Sequence, residues 1–409
     1  MLLKKEKVYY INIIIILLAS QFLSQKLNLL LLISIIFCEV VKNNGVIYLK
    51  TTKMPGAFIY FLMLLSGIVI GFFSLSKVNH SSYVYFKHIY YFILPFLYWT
   101  IGSIFSNKLN YEFHKVVTVI TYSMVIYSLI DLLKTVYVIN LHGFTTLYDY
   151  RNKIGNGSFF SVIGIYFLFF YDQNFRISKT TKAYSLVICI ISTLIHFSRT
   201  MIITLGLLVL FSGLKINLKK ILKLLIVLLI AIIGLIIICP DIVIAFWNKI
   251  LRSLQELNYV DNTWNYTNIV LNWRAYEMYC ETIKFMKAGI YEKIFGGGFG
   301  ATLDVFGYAS LVSNEEQLSF LHNGYFTQLM TNGIIGVTLF ILWLGSLYRY
   351  SCKCKVRLNR YFLRGLTVIC MICTYFIRGP LTGVPMAVLL FLFSLLGSSK
   401  YNLNKKEVI

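Results

Sequence analysis

Long runs of consecutive apolar residues with no polar face constrain this chain more than any other feature. Residues 13–19 read IIIILLA and residues 224–238 read LLIVLLIAIIGLIII. A transmembrane barrel needs strands that alternate apolar and polar, and these runs do not alternate. A helix that is apolar all round is either a core helix or a membrane span, and about 20 such residues cross the bilayer. Composition decides between the two. The 409 residues are 58% hydrophobic and 13% charged, with a mean hydropathy of +0.73, whereas a soluble domain carries about a quarter charged residues. The expected fold class is all-α, a polytopic integral membrane protein. A disordered chain, a disulfide-rich secreted module and a soluble enzyme are excluded.

The spans fall near 9–25, 27–41, 55–76, 88–106, 116–139, 157–172, 183–198, 200–214, 221–240, 323–347, 365–378 and 381–397, about twelve transmembrane helices in all, some short enough to be tilted or partly buried. MLLKKEK followed by INIIIILLAS resembles a signal peptide, but no small-x-small cleavage site follows. The segment reads as an uncleaved first span. With the N-terminus in the cytoplasm and sides alternating, the cytoplasmic segments collect 24 of the 38 Lys and Arg, and the short outer segments hold eight. That bias fixes the orientation with both termini cytoplasmic. It also accounts for the net charge of +22. Charge scattered between spans, with no basic stripe, is not a nucleic-acid surface.

Three parts follow: transmembrane helices over 1–240, one large outer loop over 241–321, and transmembrane helices with a cytoplasmic tail over 322–409. The loop carries nine of the 16 acidic residues and three of the five Trp. A loop of this length forms its own structure. Its stretch NWRAYEMYCETIKFMKAG has helical spacing, ended by Gly289 and then the cluster GGGFG at 296–300. That cluster lacks the spacing of a dinucleotide loop and reads as a flexible turn. Most of the eight Cys lie in or at the ends of apolar spans. The spacing of Cys352, Cys354, Cys370 and Cys373 resembles a zinc site, but two of them fall inside LTVICMICTYF, so no metal is expected.

Four arginines stand on the outer side: Arg151, Arg199, Arg274 and Arg378. Arg199 lies at the tip of a two-helix hairpin, near the interface, where a charge costs far less than the about 2.5–3.5 kcal/mol of the bilayer centre. It reads either as a snorkelling anchor or as a phosphate ligand, because guanidinium matches phosphate oxygens in a bidentate way. Arg274 has Glu277 and Glu281 at helical spacing, so an intrahelical ion pair is the plain reading. A glycosidase pair needs its carboxylates across the scissile bond, not side by side on one helix. His322 ends the loop at LHNGYFTQLMTNGIIGVTLF, where an imidazole reads either as an interface anchor or as a group that accepts a proton from an alcohol. The other five His show no metal-ligand spacing.

The order of these residues resembles the O-antigen polymerase and O-antigen ligase superfamily. Ser198-Arg199-Thr200 matches its SR motif. Arg274 with Gly296–Gly300 matches its arginine helix and glycine turn, and His322-Asn323-Gly324-Tyr325 with Gly333 and Gly336 matches its loop-to-span motif. Arg151-Asn152-Lys153-Ile154-Gly155 resembles, more weakly, an Arg- and Gly-bearing segment before an earlier span. YEKIFGGG departs from the many relatives with a proline there. The resemblance implies a bacterial inner-membrane glycosyltransferase, with the 241–321 loop in the periplasm, acting on undecaprenyl-diphosphate-linked oligosaccharide. It implies His322, Arg274 and Arg199 as catalytic residues, and Arg151, Asn323, Tyr325 and Arg378 as substrate-binding. No cofactor or metal is called for, and the partners are the lipid-linked oligosaccharide, membrane lipid and a chain-length regulator protein. Residue usage rich in Ile, Asn, Lys, Phe and Tyr suggests AT-rich coding, as in many surface-polysaccharide clusters, and favours the polymerase. The alternatives are a ligase, which passes the glycan to the lipid A core, and a lipid-linked oligosaccharide flippase.

Overall fold

A computed structural model describes residues 2–44, 54–76, 80–109, 113–142, 153–155, 157–171, 177–211, 218–238, 240–252, 264–312 and 315–397. Among these the regular structure is helical, joined by isolated β-bridges at His80–Ala301 and Leu303–Leu318. In chain order come α1 (Leu2–Phe22), α2 (Gln25–Lys42), α3 (Ala57–Ser74), α4 (Ser82–Lys108) and α5 (Phe113–His142). They are followed by α6 (Phe159–Phe170), α7 (Lys179–Ile195), α8 (Arg199–Phe211) and α9 (Leu218–Ile238). The loop region supplies α10 (Pro240–Arg252), α11 (Tyr266–Leu271), α12 (Trp273–Lys287) and α13 (Ile290–Phe295), then a 3₁₀ turn at Tyr308–Leu311. The chain closes with α14 (Gly324–Cys352), α15 (Arg357–Phe376), α16 (Val384–Ala387) and α17 (Leu389–Gly397).

Over its described residues each of the twelve apolar segments drawn from the sequence is mainly helical. Four helical stretches among the described residues are long and apolar enough to cross a membrane: Ala57–Ser74, Ser82–Lys108, His114–Leu141 and Gly324–Cys352. Several others, such as Phe159–Phe170 and Arg199–Phe211, are apolar but shorter. The outer surfaces fit a lipid solvent. Phe58, Leu65, Phe72 and Phe73 on α3 and Leu229, Ile230 and Ile237 on α9 are exposed, an apolar display that water would penalise. This is a helical membrane protein.

The centre of the bundle is α4 and α17. The α17 side chains are all buried, and α4 is buried over most of its length. Gly102 permits the close approach, since a Cβ there would overlap Ser394. Around this pair α14 packs on α3 and α15, α15 packs on α8, and α6 packs on α5 and α7.

Residues 264–321 hold a second, smaller core of Ile269, Tyr276, Cys280, Leu303, Val305, Leu318 and Leu321 that closes on Met330 of α14. The loop therefore has a fold of its own, and the expected helix is α12. The glycine cluster is a clasp rather than a flexible turn. The helix α14 breaks at Gly333, which has a non-helical backbone, leaving the carbonyls before the break to find other donors. Gly297 N donates to Met330 O (2.9 Å) and Gly298 N to Thr331 O (2.8 Å), while Phe299 N donates to Gly67 O of α3 (2.8 Å). Only glycine fits at 298, where φ is +80° and a Cβ would run into the backbone of Gly71.

Candidate active site

Three segments meet at the end of the bundle where α8 and α14 begin. The first is the start of α14. Asn323 caps it, its Oδ1 accepting from Tyr325 N (3.0 Å) and Phe326 N (3.3 Å), and its Nδ2 meets Met278 Sδ of α12 at 3.2 Å. Tyr325 donates its hydroxyl to Met371 O of α15 (2.8 Å). Both were expected to touch substrate, and both use these polar atoms to build the site. The single residue ahead of this cap is His322.

The second segment is α12. Glu277 is buried, with 1% of its side chain exposed, and it accepts from His322 N (2.8 Å) and from His322 Nδ1 (2.9 Å). Trp273 Nε1 also donates to it. Both Glu277 oxygens therefore accept from His322 and Trp273. A carboxylate facing Nδ1 keeps the proton on that nitrogen and leaves Nε2 as the free lone pair. The His322 side chain is 30% exposed, and Nε2 has no bonded partner among the described residues. Arg274 lies one turn before Glu277 on the same helix, half-buried. One turn after it, Glu281 is buried with Oε2 unpartnered among the described residues, and burial pushes its carboxyl up to about 7, with Lys284 opposing and Glu292 adding to the shift.

The third segment is the SR hairpin. The α7 helix ends at Ile195, Phe197 takes a left-handed turn (φ 46°), and α8 starts at Arg199. Thr204 of α8 faces Cys373 of α15 (3.6 Å), and Leu208 packs where Gly365 leaves room. The two helices are thus antiparallel, and at 1.5 Å rise per residue Arg199 comes level with the end of α15, which Arg378 follows. The hairpin is pinned by a buried pair that the motifs do not reveal. His196 Nε2 lies 2.7 Å from Asp131 Oδ2 of α5, and Ser192 donates to the same oxygen (2.7 Å). The other ring nitrogen of His196 approaches Gly155 O at 3.3 Å. One histidine therefore ties α5, the hairpin and the segment following Arg151. Arg151 itself lies outside the described residues.

Arg378 follows α15 with its guanidinium 5.9 Å from the Phe320 ring centroid. Gly379 packs against Gly324 so closely that a Cβ on Gly324 would stand 3.0 Å from Gly379 N. Among the described residues no group of three or more His, Cys, Asp or Glu has the geometry of a metal site. What the site offers is a histidine base with a buried carboxylate behind it, and cations from three separate elements. Sequence motifs mark His322 and the arginines. They miss Glu277 as the partner of His322, because the two are 45 positions apart and no local spacing signals the contact.

Residues 184–341 match the family model described as O-antigen ligase. The matched stretch runs from α7 into α14 and contains Arg199, Arg274, Glu277 and His322. It supports the O-antigen polymerase and ligase superfamily, whose members are glycosyltransferase-like enzymes. No curated protein matches the chain.

Proposed function

We propose that the protein is a surface-polysaccharide polymerase of this superfamily, joining undecaprenyl-diphosphate-linked oligosaccharide units at the periplasmic face of a bacterial inner membrane. The His322–Glu277 pair carries the reading. The acceptor hydroxyl loses its proton to His322 Nε2 as its oxygen attacks the donor's anomeric carbon, and the bond from that carbon to the diphosphate oxygen breaks. Glu277 holds the tautomer and stabilises the imidazolium that forms. The leaving lipid diphosphate keeps the electron pair, and Arg199 and Arg274 meet its charge through bidentate hydrogen bonds. Direct displacement inverts the anomeric carbon. Neither metal nor nucleotide takes part in this scheme. Asn323 and Tyr325 position His322 through α14.

In this reading the twelve apolar helical segments cross or enter the membrane, both termini are cytoplasmic and residues 241–321 face the periplasm, which the distribution of basic residues supports. Ligation to the lipid A core uses the same chemistry, and the description of the matched family favours it as the second reading. A flippase has no use for a histidine base under a folded loop.

A deletion strain separates these readings. Loss of the polymerase leaves lipopolysaccharide with a single repeat unit on its core, while loss of a ligase leaves bare core with polymer stranded on the lipid. Loss of a flippase leaves bare core and no periplasmic polymer. His322→Ala, present at normal level, reproduces the single-unit phenotype, because general-base help is worth about 10²–10⁴-fold in rate. A normal ladder from that variant removes His322 from the mechanism.

A further inference from the structure

The guanidinium of Arg378 is half-buried and makes no hydrogen bond or ion pair among the described residues. Its contact is the Phe320 ring, 5.9 Å from the centroid, which satisfies none of its N–H donors with a hydrogen bond. A cation partly withdrawn from water and without an acceptor is disfavoured, so its place favours an anion. A second cation sits on the same ring. Lys87 Nζ, near the start of α4, is 5.5 Å from the Phe320 centroid, so the two charges lie within about 11 Å of each other, close enough for one ring to contact both. Lys87 is held by Glu315 (2.9 Å) and Ser319 (2.9 Å), and Ser319 also donates to Glu315 (2.9 Å). Burial raises the Glu315 carboxyl, but the hydrogen bonds from Lys87 and Ser319 and the charges of Lys87 and Arg378 outweigh it, leaving the carboxyl below its ordinary value. The group therefore carries two positive charges against one negative.

We infer that Arg378 and Lys87 form a second anion site, which takes the diphosphate of the acceptor. This rests on the polymerase reading, in which donor and acceptor are both lipid-linked diphosphates. Two such dianions repel, so each needs its own counter-charge. Both lipid tails lie in one leaflet, so both diphosphates sit at one depth, and the acceptor glycan folds back to bring its hydroxyl to the donor's anomeric carbon. A second site must then lie level with the first and be displaced sideways. Arg378 meets that requirement, since it is level with Arg199. Phe320 precedes His322 by two residues, which joins the second site to the base.

Farnesyl diphosphate in detergent is the probe. The wild-type protein binds two equivalents, and Arg378→Gln/Lys87→Gln binds one. Two equivalents in the double variant, or one in the wild type, overturn the site. Arg378→Lys keeps the charge and loses the fork, so it gives weakened second-site binding in a protein whose fold is not in question. A kinetic arm uses the same repeat unit as a prenyl diphosphate and as a neutral alkyl glycoside. The wild-type preference for the charged acceptor falls about 10- to 100-fold in the double variant, as expected for losing charge-assisted contacts; an unaltered preference overturns the assignment. If lipid A core is the acceptor used and its phosphates fill the second site, the polymerase reading and the acceptor's identity fail, whereas the stoichiometry result stands apart from both.

Discussion

Replacing Glu277 with Gln changes one oxygen to an amide. The amide donates toward His322 Nδ1, which must then accept, so the proton moves to Nε2 and the base is in the wrong tautomer. Glu277→Gln therefore lowers the glycosyl-transfer rate by about 10²–10⁴-fold while donor binding stays near wild type. A donor KM that rises with no loss of turnover instead places Glu277 in binding. Glu281, one turn on, behaves differently. Its folded pKa of about 7 lies above the ordinary value of 4.5, so the folded protein holds a proton there that the unfolded chain has released. Stability present below pH 4.5 is lost as pH rises toward 7. Glu281→Gln removes that dependence and is the more stable protein at pH 8, by at most about 3 kcal/mol. Thermal unfolding in detergent between pH 5 and 8 measures it, and a wild-type midpoint flat across that range contradicts the account. At this scale the sequence made His322, Arg199, Arg274 and Arg378 legible, since a polar residue beside an apolar run is conspicuous. Glu277 and Lys87 were not legible, because their meaning lies in contacts with residues 322 and 315–320.

The helices were legible for the same reason their spans were: an apolar run has few other structures in a bilayer. What joins them was not. Asp131 lies within an apolar run of the sequence, and the structure pairs it with His196, where both are buried. Removing one partner from a buried pair costs about 3–5 kcal/mol, and removing both with apolar replacements is often neutral. Asp131→Ala is accordingly destabilised by that amount, and Asp131→Ala/His196→Leu recovers most of the loss in thermal unfolding. Because the pair holds the turn before Arg199, the single variant also weakens diphosphate binding. A double variant no more stable than the single one would show that the two residues act independently. The break in α14 at Gly333 was equally hidden. Its cause is the backbone of residues 297 and 298, far away in sequence, and a run of glycines looks flexible until its hydrogen-bond partners are known.

In the proposed topology the charge of the connecting segments orients the whole molecule, and that orientation has a direct test. Cys280 is a poor reporter, since it is buried and burial pushes its thiol up to about 12. Met286, on the same helix, is well exposed. In a variant without the native cysteines, Met286→Cys is labelled by an impermeant thiol reagent in cells whose outer membrane alone is opened. Labelling that needs lysis of the inner membrane reverses the topology. The sequence predicts twelve spans, and among the described residues four helices are long and apolar enough to cross a membrane. One feature of the fold then bears on how such proteins diversify. The loop is fastened to α3 and α14 by main-chain hydrogen bonds through Gly297, Gly298 and Phe299, so beyond the glycines that this close approach demands the clasp asks nothing of the loop's other side chains. The roof over His322 can therefore be repainted, residue by residue, to suit a new sugar while its frame keeps the base in place.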